Sequence, residues 1–133
     1  MKYLLDTDTC IYIINRHPES VLTKLEGMTP DDICISSITL SELHYGVSKS
    51  TKKDYNAQRL AAFLMPFTLL EFDEIAAFEY GRIRAHLEKQ GYQIGPLDTF
   101  IAAHARSRNL ILVTNNEREF NRVPGLVTQN WVE

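Results

Sequence analysis

Short apolar runs alternate along this chain with segments whose apolar residues recur at helical spacing. Residues 2–5 predict a first strand that stops at Asp6, and residues 33–35 a second that opens into Ser36-Ser37. Residues 68–72 and 110–113 predict a third and a fourth, with a short fifth over 126–128. The stretches between them read as helices. One is opened by Asp8 as N-cap and carries Ile11 and Ile14; the next starts at His17-Pro18 and stops at Gly27. Another runs from Thr39 toward Gly46, and one over residues 57–64 is halted near Pro66. Asp73 caps a longer helix with Ile75, Phe78, Ile83 and Leu87 at helical spacing before Gly91, and residues 97–106 form the last. Strand–helix alternation without repeat, linker or shift of composition predicts one α/β domain over residues 1–133. Its sheet is expected to be mainly parallel and covered by helices on both faces.

In such sheets, ligands sit beyond the carboxyl ends of the strands. Here those ends are rich in oxygen: Asp6-Thr7-Asp8, then Ser36-Ser37 with Glu42 in the following helix, then Thr114-Asn115-Asn116 with Glu117 and Glu119 close behind. The helix containing Asp98 can bring a further carboxylate to the same edge. Acids that converge without basic partners repel one another, and a hard divalent cation relieves that repulsion. Magnesium takes oxygen ligands and keeps several waters, so two or three carboxylates suffice; it polarises a phosphoryl oxygen and helps generate hydroxide at neutral pH. Each acid also has a plainer reading. Asp6 can close a turn with Thr7, Asp8 and Asp98 can cap helices, and Thr39 with Glu42 has the spacing of a capping box. Glu117 and Glu119 can be solvated.

Composition narrows the class. The 133 residues are 44% hydrophobic and 23% charged, as expected of a globular chain, and the net charge of −3 is not that of a protein that coats nucleic acid by bulk charge. Basic residues instead recur locally, at Lys49, Lys52, Lys53 and Arg59, at Arg82 and Arg84, at Arg106 and Arg108, and at Arg118 and Arg122. They read as solvated faces or as phosphate contacts around an acidic centre. No apolar run approaches the roughly 18 residues a membrane span needs. Asp6 interrupts any leader, and Cys10 and Cys34 sit in apolar surroundings without a Cys-x-x-Cys, so a reduced, cytoplasmic protein is expected. His17, His44, His86 and His104 lie in separate segments without His-Glu-x-x-His, and neither a nucleophile elbow nor a phosphate loop is present. His104 and Cys10 are read as packing residues.

Five motifs, taken in order, resemble one family: Leu4-Leu5-Asp6-Thr7, Ile35-Ser36-Ser37-Ile38-Thr39-Leu40-Ser41-Glu42-Leu43, Gly95-Pro96-Leu97-Asp98, Ile101-Ala102-Ala103-His104-Ala105, and the run from Val113 to Phe120. Together they resemble a PIN-domain ribonuclease, specifically the VapC toxins of bacterial type II toxin–antitoxin pairs. The resemblance implies a parallel five-stranded sheet and Mg²⁺- or Mn²⁺-dependent endonucleolytic cleavage of structured RNA such as tRNA, which inhibits translation. It implies Asp6 and Asp98 as principal metal ligands with Glu42 as a third acid. It further implies a small VapB-type antitoxin as partner and a homodimer. The family's fourth acidic position falls on Asn116, a departure that Glu119 can offset; Asp8 departs from the family as well. Two other readings stand beside this one. The first is a nucleic-acid-binding or regulatory module with weak catalysis, which Asn116 motivates; the second is a phosphatase or DNA nuclease on a related acidic site.

Overall fold

The computed structural model describes all residues, Met1–Glu133. Burial on both sides of its central strand organises the fold. Strand β1, Tyr3–Leu5, carries no charged side chain and is buried throughout. It pairs in parallel with β2, Ile33–Ser36, on one side and with β4, Ile111–Val113, on the other. Strand β3, Thr68–Leu70, extends the sheet beyond β2, and β5, Thr128–Gln129, extends it beyond β4. All five strands are parallel, in the order β3-β2-β1-β4-β5. Successive side chains point to opposite faces. Accordingly Tyr3 and Leu5 enter one core with Ile33, Ile35 and Val113, while Leu4 enters the other with Cys34 and Leu112.

Parallel strands require crossovers, and these divide the helices by face. The chain first moves outward from β1 to β3 through α1 (Thr7–Ile14), α2 (Glu19–Glu26), α3 (Ser37–Lys49) and α4 (Lys53–Leu64). Cys10, Ile13, Val21, Leu43 and Leu60 of these helices share the core of Leu5. Beyond β3 it returns through α5 (Glu74–Lys89) and α6 (Pro96–Ser107), whose Ile83, Leu87, Ile101 and Ala102 share the core of Leu4. A short helix, α7 (Glu117–Phe120), follows β4. Strand order reverses between β1 and β4, which places the crevice for a ligand at the carboxyl end of β1.

The expected α/β architecture with helices on both faces is present, and the differences are local. Helix α1 is capped by Asp6 rather than Asp8, because Asp6 is extended (φ −74°, ψ 172°) and its carboxylate accepts from Thr9 N at 2.9 Å. Helix α3 starts two residues before Thr39, since Ser36 accepts from Ile38 N and caps it. The capping box of Thr39 and Glu42 therefore does not form, and Glu42 lies in the second turn. Helix α6 is capped at Gly95 with Pro96 first, which leaves Asp98 inside the first turn rather than at the cap. Helix α4 begins at Lys53, ahead of the expected residue 57, and β5 lies one to two residues later than expected. On α5 the buried stripe runs through Ala76, Ile83 and Leu87, whereas Ile75 and Phe78 face outward at 62% and 65% exposure.

Leu112 is fully buried on β4. Leu112→Ala is expected to cost about 2–5 kcal/mol in urea unfolding, whereas Met65→Ala, at a position 84% exposed, should stay within roughly 0.5 kcal/mol. Equal losses at the two positions would contradict this division of core and surface.

Candidate active site

Three strands deliver their last residues to the crevice. Asp6 follows β1, Ser36 ends β2, and Thr114 follows β4. Asp6 is only 6% exposed. Burial lifts its carboxyl above the usual carboxylate range, against hydrogen bonds from Thr114 and Thr9 that draw it down; the charge of Asp8 adds to the rise. The backbone of Asp6 is equally fixed, its N–H donating to Val113 O across the β1–β4 pair.

Asp98 faces this residue from the first turn of α6. Its carboxyl is half-buried, accepts no hydrogen bond and is pushed up to about 6. Burial is the largest cause, followed by the negative charges of Asp6, Glu119, Glu42 and Asp8. The electrostatic field thus gathers acids from four separate elements into one neighbourhood. None of them is neutralised: the five ion pairs of the molecule use Asp32, Asp73, Glu79 and Glu88, and leave these acids out.

The remaining acids are held by neutral donors. Thr7 Oγ1 donates to Glu42 Oε1 at 2.8 Å and lies 3.4 Å from Thr39 Oγ1, so the first turn of α1 orients a side chain of α3. Asn116 Nδ2 donates to Glu119 Oε2 at 3.0 Å, while the backbone N–H of Asn116 donates to Thr114 Oγ1 at 2.9 Å. Asn116 therefore orients an acid at the place where it could itself have been one. Asp8 is exposed at the rim, and Glu117 turns away to accept from Thr128 Oγ1 at 2.8 Å. Of the expected residues, Asp6, Glu42 and Asp98 share the field, and Asn116 joins it through Glu119.

Two supporting groups escaped sequence reasoning. Thr7 was legible only as a turn residue, yet its hydroxyl reaches across to α3. His104, read as a packing residue, is fully buried against Phe72 with Nδ1 2.7 Å from Ser36 Oγ. Burial holds it below its ordinary pKa. It braces the residue that caps α3, the helix that carries Glu42. Beside Glu42 a groove of about 230 Å³ opens between α1, α3 and α4, with Ile11, Ile14, Val47 and Leu60 on its walls.

The oxygen-only donors and the absence of a cationic partner suit a hard divalent ion. The side chains do not converge on one point, and no three acids, histidines or cysteines form a closed ligand set. Such an open arrangement matches an ion that retains its own waters rather than one enclosed by protein.

The chain matches known proteins along nearly its whole length. The PIN domain family model matches residues 3–126. The chain is 47% identical over 132 residues to Ribonuclease VapC2 of Rickettsia felis, with 98% of each protein covered. It is 46% identical over 131 residues to tRNA(fMet)-specific endonuclease VapC of Shigella flexneri, again with 98% of each covered. The solved structure of VapBC2 from Rickettsia felis, bound to a DNA fragment from the promoter, matches with a TM-score of 0.92 at 46% identity. That match covers 98% of this chain and 99% of the other. The chain therefore belongs to the PIN-domain family, and within it to the VapC group.

The acidic field carries a stability cost with a definite sign. Because the folded-state pKa of Asp98 lies above the ordinary 3.8, the folded protein holds the extra proton between about pH 4 and 6. Stability falls as pH rises through that interval. Asp98→Asn removes the cost, so in chelator at pH 7.5 the variant is expected to be more stable by on the order of 1 kcal/mol after solvent screening. The gain should vanish at pH 4. Denaturant titrations at the two pH values measure it, and a variant less stable at pH 7.5 would contradict the assignment.

Proposed function

We propose that this chain is the ribonuclease toxin of a toxin–antitoxin pair and that it cleaves a phosphodiester bond within structured RNA, tRNA included, to inhibit translation. The observation that carries the reading is the cluster of unneutralised carboxylates at the carboxyl end of β1, with Asp98 pushed up to about 6. Asp6, Asp98 and Glu42 would hold Mg²⁺, or Mn²⁺ in its place. A bound divalent ion supplies charge for a phosphoryl oxygen and lowers the pKa of water. The protein's part is placement. Asp6 is locked by the start of α1, Glu42 is oriented by Thr7, and Glu119 is presented by Asn116. The names of the relatives in Rickettsia felis and Shigella flexneri support RNA as substrate, and the latter supports tRNA.

A weakly catalytic binding module is the less favoured reading. Asn116 motivates it, but the hydrogen bond from Asn116 to Glu119 returns a carboxylate to that quarter of the site. A small VapB-type antitoxin is the proposed partner, as the VapBC composition of the Rickettsia felis complex supports. The apolar groove beside Glu42 suits a segment of it, and a basic side chain from that segment would answer the uncompensated acids. Homodimerisation is proposed as well; the outward Ile75 and Phe78 on α5 offer apolar surface for it.

Cleavage of total bacterial RNA by antitoxin-free protein tests the reading, with Mg²⁺, with Mn²⁺ and with chelator. Discrete fragments that require metal are expected, and Asp98→Asn should abolish them although that variant stays folded. Asn116→Ala should slow cleavage by about 10–100-fold, the usual effect of losing a residue that orients a metal-site carboxylate. Metal-independent cleavage, or full activity in Asp98→Asn, would sink the proposal. Tight RNA binding without turnover would favour the binding module.

A further inference from the structure

A second concavity adjoins the acidic centre on the opposite side from the groove at Glu42. It is a cleft of about 690 Å³ where the end of α5 meets the start of α6, within the range of sites that hold nucleotide-sized ligands. Glu119 forms part of its wall, as do Gly95 and Pro96. Asp98 reaches the same rim, since a Cβ built on Gly95 would lie 3.9 Å from Asp98 Oδ2. Two of the acids around the proposed metal site thus border the cleft directly.

Two tyrosines and Arg84 line the cleft, and the Arg122 guanidinium stands beside one of the rings. Tyr80 lies stacked on Phe100, ring centroids 4.1 Å apart and planes within 9°, which makes it a rigid surface. Its hydroxyl accepts from Arg84 Nη1 at 3.3 Å. Tyr92, 44% exposed, also lines the cleft, with the Arg122 guanidinium 5.2 Å from its ring centroid. Arg122 also donates to Gln93 O at 3.2 Å, which fixes it to the same turn. Glu88, the other acid of the wall, lies 3.6 Å from Arg84.

Tyr92 does not reach this place by chance of an open loop. Helix α5 ends with Gly91 at φ 76°, Gly91 N–H donating to Glu88 O at 3.1 Å and Tyr92 N–H to Leu87 O at 2.9 Å. These paired bonds are the Schellman closure, whose left-handed residue is nearly free of strain only when it is glycine. The ring of Tyr92 is therefore presented by a defined turn.

We infer that this cleft binds an unpaired nucleotide of the RNA next to the bond that is cut, with a base against Tyr92 and the flanking phosphates near Arg84 and Arg122. The inference rests on the ribonuclease reading and adds to it the residues that would grip the substrate. Stacking of splayed bases on aromatic and guanidinium surfaces is the general way proteins hold single-stranded RNA. It also reconciles an acidic centre with a polyanion: the arginines meet phosphates that flank the cut, while the acids stay with the cation. Tyr92 and Arg84 are positioning residues in this scheme.

Steady-state cleavage of bulk bacterial tRNA in Mg²⁺ provides the test, alongside binding of fluorescently labelled tRNA in the Asp98→Asn background. Tyr92→Ala is expected to raise KM and Kd roughly tenfold with kcat within about twofold, and Tyr92→Phe to restore both. Arg84→Ala should weaken binding and reduce its salt dependence by about one phosphate contact. Unchanged KM and Kd in Tyr92→Ala, with the parent active, would overturn the cleft assignment alone. A change of oligomeric state in place of a change in tRNA affinity would also overturn it. If the parent bound and cut no RNA at all, the ribonuclease reading would fall with it; if it bound tRNA through Tyr92 without cutting, the cleft would stand and the catalytic reading would not.

Discussion

A carboxylate buried at the end of the central strand is the constraint on which the rest of this molecule is arranged. Asp6 follows a strand with no charged side chain and is itself almost inaccessible. A charge in that position is tolerated only if it is hydrogen-bonded. The fold meets the requirement by starting a helix there: the free N–H of Thr9 points at the carboxylate, and Thr114 from the neighbouring strand joins it. Capping and site formation are one event. Moving the start of α1 by a residue would both uncover helix N–H groups and misplace the acid.

The same economy extends to the other acids, at the expense of stability. None is given a cation within the protein, although fourteen lysines and arginines are available. Four of them, Arg82, Arg84, Arg106 and Arg108, pair elsewhere, most closely where Arg106 Nε meets Glu79 at 2.6 Å and the same side chain also donates to Pro124 O, joining α5, α6 and the C-terminal loop. The stabilising ion pairs are thus spent on the frame, and the crevice keeps a concentrated negative field.

Most of the frame was legible in the sequence because strands buried on both faces read as unbroken apolar runs, as residues 3–5, 33–35 and 111–113 do. Asp6 and Asp98 were legible as acids after a strand and before an apolar helix. Helix starts were harder, for a physical reason. Asp6 and Ser36 end strands and cap helices at once, so the next good cap in each case, Asp8 and Thr39, drew the boundary inward. Glu42 was obscured by that error, since a capping box explained it without chemistry. Helix α7 is four residues long, too short for periodicity to register, and Glu119 gained its meaning only when that turn set it beside Asn116. Ile75 and Phe78 share the spacing of Ile83 and Leu87 loosely enough that sequence alone could not say which stripe is buried.

The sheet does more than carry the crevice: it separates two hydrophobic cores, one beneath α1 to α4 and one beneath α5 and α6. The groove beside Glu42 stands on the first and the cleft beside Glu119 on the second. Substitutions that share no partner combine additively. Natural variation can therefore reshape one of these surfaces without forcing compensating change in the other, so long as the strand ends between them hold still. In this architecture a substitution on one flank leaves the surface of the other in place, while a change at the crevice they share is felt on both.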